Sequence, residues 1–242
     1  MWCARQRAPS SGSRCGVRSA GCGVRRRTLD RDFYQRPTLV VARELIGKVL
    51  VHETRAGLAS GVIVEAEAYI GESDPACHAA PGPTARNAPL YGPPGIAYVY
   101  LNYGIHYLVN AVTEAEGWPA AVLIRALEPF EGEALMRRRR ARGTGRTPAS
   151  YESAALCRGP GNLTRALAIT LTQNGADLCG ASRLTFEEGP GAPGPLVWGP
   201  RIGINVGKDV PWRCWVAGHA AVSGPRPARP RRPAHRSRVG AE

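Results

Sequence analysis

The sequence predicts an α+β domain, and three observations predict it. Two pairs of β-rich runs, residues 48–54 with 61–70 and residues 97–101 with 105–112, are separated by short turns, so each pair reads as a hairpin. A further apolar run at 121–127 supplies another strand. Stretches with helical spacing, 37–47, 129–140 and around 163–169, lie outside the hairpins instead of alternating with every strand.

Residues 1–31 are rich in Arg, Ser, Gly and Cys, with no acid before Asp30, and read as a disordered basic arm. Residues 223–242 are rich in Pro and Arg and read as a second disordered tail. The folded part expected between them is one domain, 32–222. Within it, Pro37 to Gly47 has helical periodicity and a closing glycine. A strand Lys48–Thr54 follows, then a turn near Gly57 and a strand Gly61–Ile70. A period of two places Ile63, Glu65, Glu67 and Tyr69 on one face of that strand, and Val62, Val64, Ala66, Ala68 and Ile70 on the other. The second face is apolar and reads as core. The first carries two carboxylates beside a tyrosine. Burying an ionised carboxylate is costly unless it is paired. The face is therefore either solvated or built to hold a carboxylate for chemistry.

Residues 71–95 form a long irregular segment containing Asp74, His78, Arg86 and Asn87, and loops of this length inside a domain are usually functional or disordered. The second hairpin turns at Asn102-Tyr103-Gly104, which puts an aromatic ring at an exposed tip. Tyr98 and Tyr107 read as ordinary hairpin packing. After the strand 121–127, Pro129 is expected to start a helix through Arg140, with its acids ahead of the arginine run 137–140. That run reads as a solvated face or a phosphate contact. Residues 201–206 continue the strand pattern.

The 242 residues carry a net charge of +13, which favours a polyanionic partner, nucleic acid before an acidic membrane surface. Lys48 and Lys208 are the only lysines, so the excess is arginine, whose planar fork suits phosphate. Part of it is compositional, since Ala, Gly and Pro are abundant too. The seven cysteines, at 3, 15, 22, 77, 157, 179 and 214, include no C-x-x-C pair. A disulfide framework, a zinc site and an iron–sulfur cluster are therefore not indicated, and no metal or other cofactor is expected. No apolar run has membrane-span length and no secretory signal is visible, so an intracellular location, cytoplasm or nucleoid, is expected.

A carboxylate fixed on a strand could activate water, neighbouring Tyr and His rings could receive a base, and a tip aromatic could wedge into a base stack. Here the strings VEAEAYIGESDPACHA, TARN, AYVYLNYGIHYLVN, LIRALEP and RIGI, in that order, resemble the alkyladenine (3-methyladenine) DNA glycosylase family. The resemblance covers roughly residues 32–218 and implies one mixed domain around a curved, largely antiparallel sheet with a projecting hairpin. It also implies a monofunctional enzyme, acting as a monomer, that removes 3-methyladenine, 7-methylguanine or hypoxanthine from double-stranded DNA without cutting the strand.

Carried over by position, Glu67 would be the general base, and Arg125 with the backbone at Ile202 would position the attacking water. Tyr69, His78 and Tyr100 would line the base pocket, and Asn110 would exclude normal purines. Tyr103 would fill the gap in the duplex, and Arg86 would contact the DNA backbone. Glu65 would be structural. Singly, His78, Arg125 and the hairpin tyrosines have structural explanations. A non-catalytic DNA-binding protein using the basic surface and the tyrosine hairpin is the alternative.

Overall fold

The computed structural model describes residues 27–224. Most of the expected N-terminal arm (1–26) and of the C-terminal tail (225–242) lies outside the described residues. The packed chain passes both expected boundaries. Leu29 is in the core, and Ser223 is hydrogen-bonded to a buried carboxylate.

Two short helices come first among the described residues, α1 (Arg31–Tyr34) and α2 (Thr38–Leu45). Asp30 caps the first by accepting from the Phe33 N–H at 3.0 Å. Pro37 precedes the second, where its missing N–H costs nothing. The chain then forms β1 (Val49–Thr54), β2 (Gly57–Ile70), β3 (Ala97–Asn102), β4 (His106–Val112) and β5 (Ala120–Glu131). Helices α3 (Glu133–Ala141), α4 (Ser153–Leu156) and α5 (Pro160–Leu167) follow, then the four-residue strands β6 (Leu184–Glu187), β7 (Leu196–Gly199) and β8 (Arg213–Val216). The strands make one curled antiparallel half-barrel in the order β3-β4-β5-β2-β1-β6, with β7 and β8 attached through β2. Helices surround it, so the α+β expectation and the curved sheet both hold.

β2 is the axis of the sheet. Its first half pairs with β1, Val49 opposite Val62. Its second half pairs on the same edge with β8, Glu67 opposite Arg213. β5 runs along the other edge, and three bulges interrupt that ladder. Val64 is the extra residue on β2, and Arg125 and Phe130 are the extra residues on β5. The bulge at Val64 corrects the expected face assignment. Val62 packs with Val49 and Val51, whereas Ile63, Val64, Ala66 and Ala68 all enter the main core. Ile63 therefore parts from Glu65, Glu67 and Tyr69, because a bulge shifts the two-residue alternation.

The helix expected from Pro129 begins at Glu133 instead. Pro129 still pairs with Gly61, and Phe130 is the bulged residue beside it, a place where a sheet tolerates proline. Gly132, at φ 73°, turns the chain from strand to helix. The expected strand at 201–206 is a loop, and the Ile202 backbone in it bonds side chains of β2 and β5. The arginine run is mostly tied into the protein. Arg137 pairs with Glu133, Arg139 donates to the Ala166 carbonyl at 3.1 Å, and Arg140 bonds Asn162.

A Cβ at Gly132 would lie 2.2 Å from the Leu58 carbonyl oxygen, in a backbone region that favours glycine. Gly132→Ala is expected to lower stability by about 1–3 kcal/mol, read as a fall in the urea midpoint without a change in slope.

Candidate active site

Glu65 and Glu67 are both fully buried. The solvated-face alternative is thereby excluded, and each charge needs a partner. Arg125, itself buried, supplies one to both. Its Nε donates to Glu65 at 3.0 Å and its Nη1 to Glu67 at 3.1 Å. The β5 bulge at Arg125 lets one guanidinium bridge two carboxylates that belong to the neighbouring strand.

Glu67 accepts two further hydrogen bonds. The Tyr69 hydroxyl donates to Oε2 at 3.0 Å, and the Ile202 N–H donates to Oε1 at 2.7 Å. An ionised carboxylate has about four acceptor sites, so one remains. Burial pushes the Glu67 carboxyl above its ordinary range, while Arg125, the Ile202 N–H and the Tyr69 hydroxyl oppose that shift. The side chain is thus an ionisable base poised above an exposed glutamate.

The three groups that hold Glu67 also line a cavity of about 540 Å³. Its wall includes His78, Tyr98, Tyr100, Leu108, Asn110 and Leu123, with Tyr103 at its edge. A volume of this size lies in the range of small-molecule sites. Glu67 lies just behind the wall. His78 stands edge-on to Tyr100, with ring centroids 4.4 Å apart, and its Nδ1 is 2.8 Å from the Tyr98 hydroxyl. Burial, aided by Arg86, lowers the His78 pKa, which keeps the imidazole neutral at pH 7. Burial also holds the Tyr69 and Tyr100 phenols protonated and pushes Tyr98 up to about 12. The wall is therefore aromatic and uncharged, apart from the edge of Arg125.

The loop 71–95 is fixed chiefly through two of its polar residues, Asn87 and Asp74. Asn87 Nδ2 donates to the carbonyls of His78 at 2.8 Å and Gly82 at 2.9 Å. Asp74 forms a buried two-bond pair with Arg201, at 2.5 and 2.8 Å. The Arg201 guanidinium lies 4.7 Å from the centroid of the Tyr69 ring, so it stiffens the tyrosine that touches Glu67. Asn110 is buried in the wall and donates to the Tyr98 carbonyl at 2.9 Å. Arg86 is exposed at the rim and donates to the Leu101 carbonyl at 3.3 Å, with its guanidinium 5.7 Å from the Tyr100 centroid.

Tyr103 is 81% exposed at the tip of the β3–β4 hairpin. Tyr103 and Gly104 both have positive φ, 48° and 70°, the conformation that matches the twist of a hairpin. For a tyrosine that conformation is uncommon, and it holds the ring out from the sheet.

The side chains expected at the site, Glu67, Tyr69, His78, Arg86, Tyr100, Tyr103, Asn110 and Arg125, thus gather at or beside one cavity. Sequence reasoning missed Arg201, Arg213 and Ser223, and it assigned Tyr98 to packing, whereas its hydroxyl holds His78. Arg201 stood in the quoted RIGI string; Ser223 gave no local signal. Among the described residues no group of three His, Cys, Asp or Glu side chains could hold a metal ion, and no helix is long and apolar enough to cross a membrane.

A family model described as methylpurine-DNA glycosylase matches residues 32–220. The chain belongs to that family. Its members are DNA repair enzymes of base excision. Among curated proteins, one named "Putative 3-methyladenine DNA glycosylase" from Methanocella arvoryzae is 50% identical over 81% of this chain and 95% of its own length. Namesakes from Rubrobacter xylanophilus and Chlorobium phaeobacteroides are 50% and 47% identical, over 76% and 81% of this chain and 90% and 95% of theirs. In this glycosylase chain the matched region contains the whole cavity wall.

Replacing Arg125 with Met leaves two buried carboxylates on one face of β2. Such a change is expected to cost about 3–5 kcal/mol at neutral pH by denaturant melts. The deficit should shrink as pH falls, because protonating one carboxyl removes their repulsion.

Proposed function

We propose that this protein flips an alkylated or deaminated purine out of duplex DNA and hydrolyses its N-glycosidic bond with a water activated by Glu67. The observation that carries the reading is the buried Glu67 carboxylate, held by Tyr69, Arg125 and Ile202 at the wall of an aromatic cavity. Substrates of this kind include 3-methyladenine, 7-methylguanine and hypoxanthine. The alkylated bases carry positive charge, which electron-rich Tyr69 and Tyr100 faces attract. Their leaving group departs neutral, so the reaction needs chiefly a placed water and stabilisation of the cationic sugar.

The remaining acceptor site on Glu67 takes a proton from water, and the carboxylate charge opposes the oxocarbenium character developing at the sugar. The Ile202 carbonyl, 3.4 Å from Arg125 Nη1, is a second acceptor for that water. Asn110 in the wall disfavours normal purines bearing an exocyclic group. Tyr103 fills the gap in the stack, and Arg86 with the basic surface holds phosphates. Flipping costs a few kcal/mol and least at damaged pairs, which helps selection. Neither lysine lines the cavity, which favours hydrolysis over a Schiff-base lyase route. We take the enzyme to act as a monomer.

Release of labelled base from methylated duplex DNA tests this reading. Glu67→Gln is expected to lower the rate about 10²–10⁴-fold while duplex binding persists. Binding without release by the wild type would instead support a DNA-binding protein. In the wild type, release should fall on acidification through a pKa above that of an ordinary glutamate, since only the ionised form is a base and burial raises the value. Tyr103→Ala should slow release while changing stability by less than about 0.5 kcal/mol, because the ring is exposed.

A further inference from the structure

Glu65, the carboxylate that performs no chemistry in this reading, has the denser set of partners. Its Oε1 accepts from Arg125 Nε at 3.0 Å, Arg213 Nε at 2.7 Å and Ser223 Oγ at 2.8 Å, and its Oε2 accepts from the Ser223 N–H at 2.6 Å. Ser223 has other attachments. Its hydroxyl oxygen accepts from Arg125 Nη2 at 3.1 Å, and its carbonyl accepts from Arg213 Nη2 at 3.1 Å. Arg213 is steadied in turn, with its guanidinium 4.2 Å from the Trp215 ring centroid. The result is a row of alternating charges, Glu67, Arg125, Glu65 and Arg213, each bonded to the next. Ser223, in the C-terminal strap 217–224 that follows β8, is bonded to the last three. Ser223 stands three positions past the end of the family match at residue 220.

We propose that Ser223 and Arg213 are positioning residues that clamp Glu65 and thereby aim Arg125 at Glu67, so that the strap beyond the family-matched region completes the active site. The inference rests on Glu67 being the catalytic base. With both clamps in place, Glu65 has a second guanidinium and two serine donors of its own, and Arg125 can divide itself between the two carboxylates. Without them Glu65 depends on Arg125 alone and draws it away from Glu67. The other groups facing Glu67 do not replace that charge. Tyr69 and Tyr100 are neutral, and Arg201 is engaged by Asp74. Glu67 would then face Glu65 with its countercharge weakened. The protonated form would gain, and less base would be present at neutral pH.

The test is single-turnover base release from methylated duplex DNA under saturating enzyme, followed against pH. It compares Ser223→Ala, Arg213→Met, Arg213→Lys and full chains shortened to end after Gly224 or after Val222. Ser223→Ala keeps the backbone donor and so guards against a folding failure in Arg213→Met. The expected result is a rate at pH 7 lowered by up to about 10²-fold in Ser223→Ala and Arg213→Met. Their acid limb should move to higher pH, with duplex affinity unchanged and part of the rate recovered by Arg213→Lys. Ending the chain after Gly224 should keep the rate, and ending it after Val222 should reproduce the loss. Unchanged rates in Ser223→Ala and in the chain ending after Val222 would overturn the clamp, as would rates lowered with no shift of the acid limb. Glu67→Gln, run alongside, separates the two claims. If it is inactive while the clamp variants behave as wild type, the clamp alone fails; if it still releases base, the reading of Glu67 fails.

Discussion

The bridge from Arg125 to Glu65 and Glu67 is the constraint on which the rest of the site depends. Two carboxylates on one face of a buried strand repel each other and lose their hydration, so they persist only where positive charge and donors are supplied from other elements. One guanidinium reaches both because the β2–β5 ladder is bulged at Val64 and again at Arg125 itself. A bulge re-aims a side chain that a regular ladder would send elsewhere. The same feature that disturbs the sheet is what lets it hold an ionised group in its interior.

Around that bridge the protein divides the work between rigid and irregular parts. The sheet fixes Glu67, Tyr69, Tyr100 and Asn110, and loops bring His78 and Ile202 to them. The loops are not loose. Asn87 ties the His78 segment to itself, and the Asp74–Arg201 pair pins the 201–207 loop beneath Tyr69. Neutral aromatic and aliphatic groups make up most of the wall, so the charge at the cavity comes from Arg125 in the wall and Glu67 just behind it. That arrangement suits a substrate whose own positive charge is the mark of damage.

Much of this was legible in the sequence. The period of two placed Glu65, Glu67 and Tyr69 together, and the Asn102-Tyr103-Gly104 turn placed a ring at a tip. The roles of the two glutamates were not separable from spacing, because both are buried and both face Arg125. What distinguishes them comes from Arg213 and Ser223, 148 and 158 residues away from Glu65 in the chain, and no local pattern reports such contacts. Resemblance to a family supplied the assignment instead. The false helix start at Pro129 has a comparable origin. Proline and two acids read locally as a helix N-terminus, but pairing of β5 with β2 overrode that signal until Gly132. The strands β6, β7 and β8 have four residues each, too few to show a period; β6 and β8 form on the edges of the longer β1 and β2, and β7 on β8.

The most direct test of the account is the ionisation of Glu67 itself, followed by infrared difference spectroscopy of the wild type against Glu67→Gln across pH. The account predicts a carboxylate band assigned to Glu67 at neutral pH, converting to the protonated band on acidification through a pKa above that of an exposed glutamate, in step with the acid limb of base release. A Glu67 that stays protonated throughout the pH range in which base is released would contradict it.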